Sequence, residues 1–320
     1  MQKTRHTTVV FDYSVFCHQL HAIVGNADIP KKHYLGVIKA QLVQVLSQEY
    51  LGVLKPNEKF QTVFCVDSKP YWRTEYLLRP EVWEKVERYG KKGKLLEPQP
   101  IHYKAGRKFP EYTFTKLKNK MLEVIQNQGW SVMAGQGFEA DDMAACIVMC
   151  NRILPPEKQH RLILVTVDTD WLGLLDNNTE WFCMKGWFPR VRMTLDDLNH
   201  WSHKRLGTYF DMPAELWGHK AVFGDKSDNL PPNSPLEVID LCEPPAEFCS
   251  WELSATRNKA MQFLQYPADH SEKYFTDSAS RYLMQLGMPK AIRPLDVGKD
   301  CLPALQSQLG YYPELELLTA

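Results

Sequence analysis

Nine carboxylates carry the chemistry that this sequence suggests: Asp12, Asp67, Glu139, Asp141, Asp142, Asp168, Asp170, Asp225 and Asp228. They fall in five short segments, of which E-A-D-D at 139–142, D-T-D at 168–170 and G-D-K-S-D-N at 224–229 are the densest. Hard divalent cations such as Mg²⁺ take oxygen ligands, commonly a few carboxylates with retained waters. Two such ions close together activate a water and stabilise the leaving oxygen of a phosphodiester. That chemistry needs acids arriving from different elements, because no single turn surrounds two ions. Taken singly, each segment has a plainer reading. Acids in a first helical turn complement the macrodipole, a strand-end aspartate caps the next turn, and G-D-x-x-D-N suits a turn. Taken together, five segments would crowd like charges with nothing to offset them. A metal cluster accounts for all five.

Three of the acids follow runs that read as strands. TTVVF at Thr7–Phe11 ends in Asp12, QTVFCV at Gln61–Val66 in Asp67, and RLILVTV at Arg161–Val167 in Asp168. Unbroken β-branched and apolar runs suit strands buried on both faces of a parallel sheet. Helical patterns lie between them at His33–Glu49, Thr115–Gln128 and Glu139–Ile153. Alternating strand and helix predicts an α/β domain with right-handed crossovers, whose site lies beyond the carboxyl ends of the strands. After Pro213 strand-like runs become rare. The expected division is therefore an α/β domain over 1–212 and a helical domain over 213–320, with Asp225 and Asp228 lending themselves to the first domain's site.

The chain has 320 residues, 44% hydrophobic and 24% charged, and a formal net charge of zero. Neutrality argues against a nucleic-acid binder only if charge is evenly spread, and it is not. Lys69–Lys120 holds 14 basic and 6 acidic residues, a local excess of +8. A basic face beside an acidic pocket is the expectation. The longest uncharged apolar stretch, Met143–Cys150, is too short to span a bilayer, so no membrane partner is expected, and Asp12 interrupts the amino-terminal apolar segment too early for a signal peptide. None of the eight cysteines forms a C-x-x-C pair, and Cys146 and Cys150 sit at core spacing on a helix. A reduced, cytoplasmic setting fits.

The motifs resemble those of the 5′ nuclease (flap endonuclease) family, in its bacteriophage ribonuclease H and 5′-3′ exonuclease branch. The matching stretches are VVFDYS at Val9–Ser14, VFCVDSKPYWR at Val63–Arg73, YKAGRK at Tyr103–Lys108, GFEADDMAA at Gly137–Ala145, VTVDTDWLGLL at Val165–Leu175 and FGDKSDNLP at Phe223–Pro231. They keep the family's order over roughly the first 230 residues. The resemblance implies a PIN-like three-layer α/β domain with a mostly parallel sheet and a helical DNA-binding domain after it. It implies two Mg²⁺ ions, with Mn²⁺ able to substitute, held by the nine carboxylates, Asp170 being central to catalysis. Lys104 and Arg107 would meet the scissile phosphate and neutralise charge building in the transition state. Tyr103 would stack on an unpaired base, and Arg73, Lys108, Lys91, Lys92 and Lys94 would hold phosphates on a basic arch over about 69–120.

The implied activity is structure-specific 5′-3′ exonuclease or flap endonuclease cleavage of branched or nicked DNA or RNA–DNA hybrid. Its setting would be primer or flap removal in DNA replication, in the host cytoplasm if the chain is phage-encoded, beside a single-strand-binding protein or polymerase. The alternatives are a single-strand PIN-type ribonuclease and a non-catalytic binder of branched DNA. Two departures stand against the common pattern. About thirty residues separate Arg73 from Tyr103, including the charged run Pro80–Lys94, which would build a larger arch or an added helix. No glycine lies between Gly224 and Gly287, where many relatives carry a glycine-rich hairpin whose backbone grips duplex phosphates.

Overall fold

The computed structural model describes residues 6–24, 38, 59–107, 112–185, 188–234 and 246–267. Its strands are β1 (Thr7–Asp12), β2 (Phe60–Cys65), β3 (Ser131–Met133), β4 (Arg161–Thr166), β5 (Thr179–Lys185) and β6 (Phe188–Met193). Its helices are α1 (Tyr13–Val24), α2 (Trp72–Leu77), α3 (Pro80–Trp83), α4 (Tyr112–Asn127), α5 (Ala140–Arg152), α6 (Leu195–Leu206), α7 (Glu215–Phe223) and α8 (Ala246–Gln265). One sheet runs in the order β3-β2-β1-β4-β5-β6. Its first five strands are parallel, and β6 closes one edge antiparallel to β5.

The three runs read as strands from the sequence are the three central strands, and β1 and β2 are buried at every position. Burial on both faces is the physical reason for their unbroken apolar character. One face meets α1 and α4, where the rings of Phe11, Phe16 and Phe64 meet with centroids 5.3–5.5 Å apart, Phe16 edge-on to the other two. The other carries Val10, Val63, Leu162 and Leu164 into a core with Ala144, Ile147 and Val148 of α5. Helix, sheet and helix thus make the three layers expected. Cys146 and Cys150 lie buried in that core. No helix among the described residues is long and apolar enough to cross a membrane.

Of the stretch expected as a separate domain from 213, only 213–234 and 246–267 are described, and both pieces pack on the α/β core. Ala260 and Leu264 of α8 are buried in the α5 core, and α7 packs on the 3₁₀ turn Thr169–Leu174. The expected helix at 33–49 lies outside the described residues apart from Ile38. The run Pro80–Lys94 does not become a long helix over the site. Only Pro80–Trp83 is helical, and Leu77, Val82, Val86 and Ile101 gather into a small second core against Tyr103 and Leu230. Pro80 starts α3, and the following Tyr89–Leu95 bridge folds the charged residues into a turn instead.

Candidate metal centre at the carboxyl edge of the sheet

The central strands β2, β1 and β4 lie side by side, so the residues that follow them share one edge. Asp12 ends β1, and its carboxylate accepts hydrogen bonds from the Val15 amide (3.1 Å) and the Thr166 hydroxyl (2.9 Å). Asp67, two residues past β2, accepts from the Ser14 hydroxyl (2.7 Å) and from the Ala140 amide (3.0 Å). Ala140 opens α5, so Asp67 satisfies one of that helix's unpaired N–H groups from a distant strand. Asp168 accepts from the Asp170 amide at 2.9 Å and starts the 3₁₀ turn that carries Asp170. Glu139, Asp141 and Asp142 come from the amino end of α5.

Asp225 and Asp228 reach the edge through α7. The Trp217 indole donates to the Asp170 carbonyl at 2.7 Å and lies against Gly173, where a Cβ would run into the ring. Gly224 turns the chain with φ of 82°, and a Cβ there would stand 2.8 Å from the Leu230 carbonyl oxygen. Only glycine meets both demands. The loop it begins is closed by paired backbone bonds between Asp225 and Leu230, and the Ser227 amide donates to Asp225 at 2.8 Å.

Basic side chains stand among the acids. Lys220 donates to Asp170 and, at 2.9 Å, to Asp225. Lys104 pairs with Glu139, and Arg107 with Asp228. Arg73 binds Glu139 at 2.9 Å and Asp142 at 2.9 and 2.5 Å. Lys118 lies 3.9 Å from Asp67 and donates to Ser14 at 2.7 Å. The basic loop is tied to the acidic one by the Lys104 amide on the Asp228 carbonyl (2.8 Å) and by Asn229 on the His102 carbonyl (2.8 Å).

These cations do not balance the acids. Burial, then the charge of Asp67, pushes Asp12 up to about 6. Burial, then Asp170, pushes Asp168 up to about 7. Asp141 is raised well above the usual carboxylate range by burial and by Asp168 and Glu139, and Asp170 is raised by burial despite Lys220. Asp67 and Asp225 go the other way: burial would raise them, but their hydrogen bonds and nearby lysines outweigh it. Burial would lower the Lys104 and Lys220 ammonium groups, yet the surrounding carboxylates hold both above the usual lysine value. A set of hard oxygens too crowded to ionise together is what a divalent cation relieves. The donor chemistry therefore fits Mg²⁺. Among the described residues no three acids are drawn around one point as ligands of a single ion. Lys104, Arg107 and Lys220 stand between them.

The structure brings all nine sequence-predicted acids, Lys104 and Arg107 to this edge. Two expectations change. Arg73 is 5% exposed and bound to two acids, so it cannot meet a nucleic-acid backbone. Its position on α2 beneath the α5 amino end turns its guanidinium inward. Tyr103 is half-buried, with its hydroxyl on Glu139 at 2.9 Å and its ring against the small second core, rather than free to stack on a base. Lys91, Lys92 and Lys94 are exposed in the turn between Tyr89 and Leu95, and Lys108 lies outside the described residues, as do 235–245 where a hairpin would fall. Sequence reasoning missed Lys220, Lys118 and the indole of Trp171, which donates to Asp141 at 2.6 Å. The signal for Lys220 is its place five residues before Asp225, a little over one helical turn.

No protein-family model matches the chain. DNA polymerase I of Mycobacterium leprae is 32% identical over 130 residues, which is 40% of this chain. The match spans only 13% of that relative's length. Among solved structures, the T5 D15 protein co-crystallized with metal ions overlays with a TM-score of 0.44 at 15% identity, covering 98% of this chain and 97% of the other. A variant of the bacteriophage T5 D15 flap endonuclease, in a pseudo-enzyme-product complex with DNA and metal ions, gives 0.46 at 16% identity, with the same coverage. In the order of its motifs and in the stretch shared with DNA polymerase I, the chain resembles the 5′ nuclease family.

Proposed function

We propose that this chain is a divalent-ion-dependent 5′ nuclease that cuts branched or nicked DNA or RNA–DNA hybrid during replication-linked removal of primers or flaps. The observation that carries the reading is the single edge where nine acids meet, with Asp12 and Asp168 held near 6 and 7 by burial and by their neighbours. Of the nine acids expected as ligands, Asp12, Asp67, Glu139, Asp141, Asp168, Asp170, Asp225 and Asp228 would hold two Mg²⁺ ions, or Mn²⁺ in their place, and Asp142 is set apart because Arg73 takes both its oxygens. When bound, the ions supply the charge that activates a water and stabilises the leaving oxygen. Water oxygen joins phosphorus as the bond to the 3′ oxygen breaks, and the proton passes to that oxygen, leaving a 5′ phosphate and a 3′ hydroxyl.

Lys104 and Arg107 are the groups that would face the scissile phosphate. Lys104 sits at a positive φ of 55° in the 102–107 turn, with its ammonium 4.9 Å from the Tyr103 ring centroid and 5.3 Å from that of Tyr71. Two ring faces hold it in place without neutralising it. Arg107 is half-exposed at its side chain and reaches the same edge from the outside. Alanine at either residue is expected to lower the single-turnover rate on an end-labelled flap by about 100-fold while weakening binding far less, the pattern of a transition-state contact. The same substrates with Mg²⁺ and with EDTA test the activity itself. Ion-independent cleavage, or binding with no cleavage, would remove the proposal.

A further inference from the structure

The four residues of the E-A-D-D segment do not stand in equal environments. Asp142 is 2% exposed, and its two oxygens accept three hydrogen bonds: Arg73 to Oδ1 at 2.5 Å, Arg73 to Oδ2 at 2.9 Å, and the Glu139 amide to Oδ2 at 2.8 Å. Asp141 precedes it by one residue, about 100° around the helix, and takes the Trp171 indole at 2.6 Å. The fork of Arg73 spans two acids, since the nitrogen on Asp142 Oδ2 also donates to Glu139 Oε2 at 2.9 Å. Arg73 is itself buried, with its guanidinium 4.8 Å from the Trp72 ring centroid.

We infer that Asp142 is not an ion ligand but the anchor of Arg73, and that the pair is a positioning device aiming the Glu139 carboxylate into the site. A carboxylate engaged by a bidentate guanidinium and a helix amide has little left to offer a cation. An arginine fixed by a fork and an aromatic face holds one orientation, unlike a lysine. Glu139 then has one oxygen on Arg73 and Tyr103 and the other on Lys104, so the oxygen facing the basic loop is the one left to an ion once Lys104 turns to a phosphate. The inference rests on the reading of this edge as an ion site, and its test separates the two.

Mn²⁺ affinity of the full chain, measured by calorimetry without nucleic acid, distinguishes an anchor from a ligand. An anchor acts through Arg73, so its loss should not add to the loss of Arg73, whereas a direct ligand contributes in either background. Asp142→Asn in the parent is expected to weaken Mn²⁺ binding about tenfold, as loss of an outer support does. In an Arg73→Gln background the same change should cost less than about twofold. Equal losses in both backgrounds would make Asp142 a ligand and overturn the inference. No loss in the parent would overturn the aiming of Glu139. The double variant removes both buried charges together, so it should melt above Asp142→Asn, and the comparison holds even if that single variant folds poorly. A double variant melting below both singles would also count against the pair. Asp141→Asn in the Arg73→Gln background should cost about tenfold or more. If it costs nothing, the ion-site reading fails, whatever Asp142 does.

Discussion

The two ends of the same central strands bury polar groups in opposite ways. At the amino edge, beside the paired charges of Arg161 and Glu180 (3.0 Å), one buried set of groups is neutral and matched. Gln61 donates to Thr8 at 3.0 Å, Thr8 meets His160 at 2.8 Å, and Asn151 exchanges two hydrogen bonds with the His160 backbone at 2.9 and 3.1 Å. At the carboxyl edge the groups are charged and outnumber their partners. Matched buried polar groups hold a fold together, while unmatched like charges cost stability until something binds.

The largest test of that contrast is a pair of substitutions of similar size. If the proposed ion site holds, Asp170→Asn should lower cleavage by several orders of magnitude through loss of a ligand charge, while the ion-free protein melts no lower than the parent. Asn151→Ala should do the reverse. It strands two buried backbone groups at about 1–3 kcal/mol each, several degrees in Tm, with Mg²⁺ dependence unchanged. Activity of Asp170→Asn within a few-fold of the parent would break the assignment of the carboxyl edge.

A second test uses pH, because the two edges are linked to protons with opposite sign. Asp12 and Asp168 have folded values raised above the usual 3.8, so the stability they contribute is complete below that value and lost as pH rises through about 6 and 7. Burial, then His6, lowers His160 from 6.5 to about 4, so its share is complete above 6.5 and lost as pH falls towards 4. A divalent ion relieves only the first. The Tm increase on adding saturating Mn²⁺ should therefore be larger at pH 8 than at pH 5.5, and His160→Gln should flatten the acid limb without changing that difference. An ion-induced shift independent of pH would show that the raised acids are not where the ion binds.

The smallest effect concerns the exposed turn outside both edges. Neutralising Lys91, Lys92 and Lys94 together should weaken flap binding and flatten its log-affinity against log-salt slope by up to about three units. Their exposure on a turn apart from the ion pairs of Lys104 and Arg107 predicts no change in the saturating rate. An unchanged slope would mean that this turn never meets the nucleic acid.

Much of this was legible in the sequence because it follows from short-range rules. β1, β2 and β4 announce themselves as apolar runs, and the acids after them need only the parallel order to converge. Ser131–Met133 is too short to show a period, and the β5–β6 pair mixes aromatic and charged residues as an edge hairpin can. Lys220 and Arg73 were harder to read. A buried charge is explained by its partners, and apart from the nearby Asp225 these include acids 50 and 69 residues away in sequence. Arg73 resembled a phosphate contact because it sits in an aromatic and basic cluster, yet its burial between two acids is a property of the assembled core alone.

The docking of Trp217 on Gly173 has a consequence for the order of events during synthesis. A growing chain delivers Asp12 first and Asp228 some two hundred residues later. Until α7 has emerged and its indole has settled on that bare stretch of backbone, the last two acids have no seat. Strand pairing does not wait for this step, because β6 ends at Met193 and α7 begins only at Glu215. A ribosome-bound chain would thus complete its sheet before its proposed ion site.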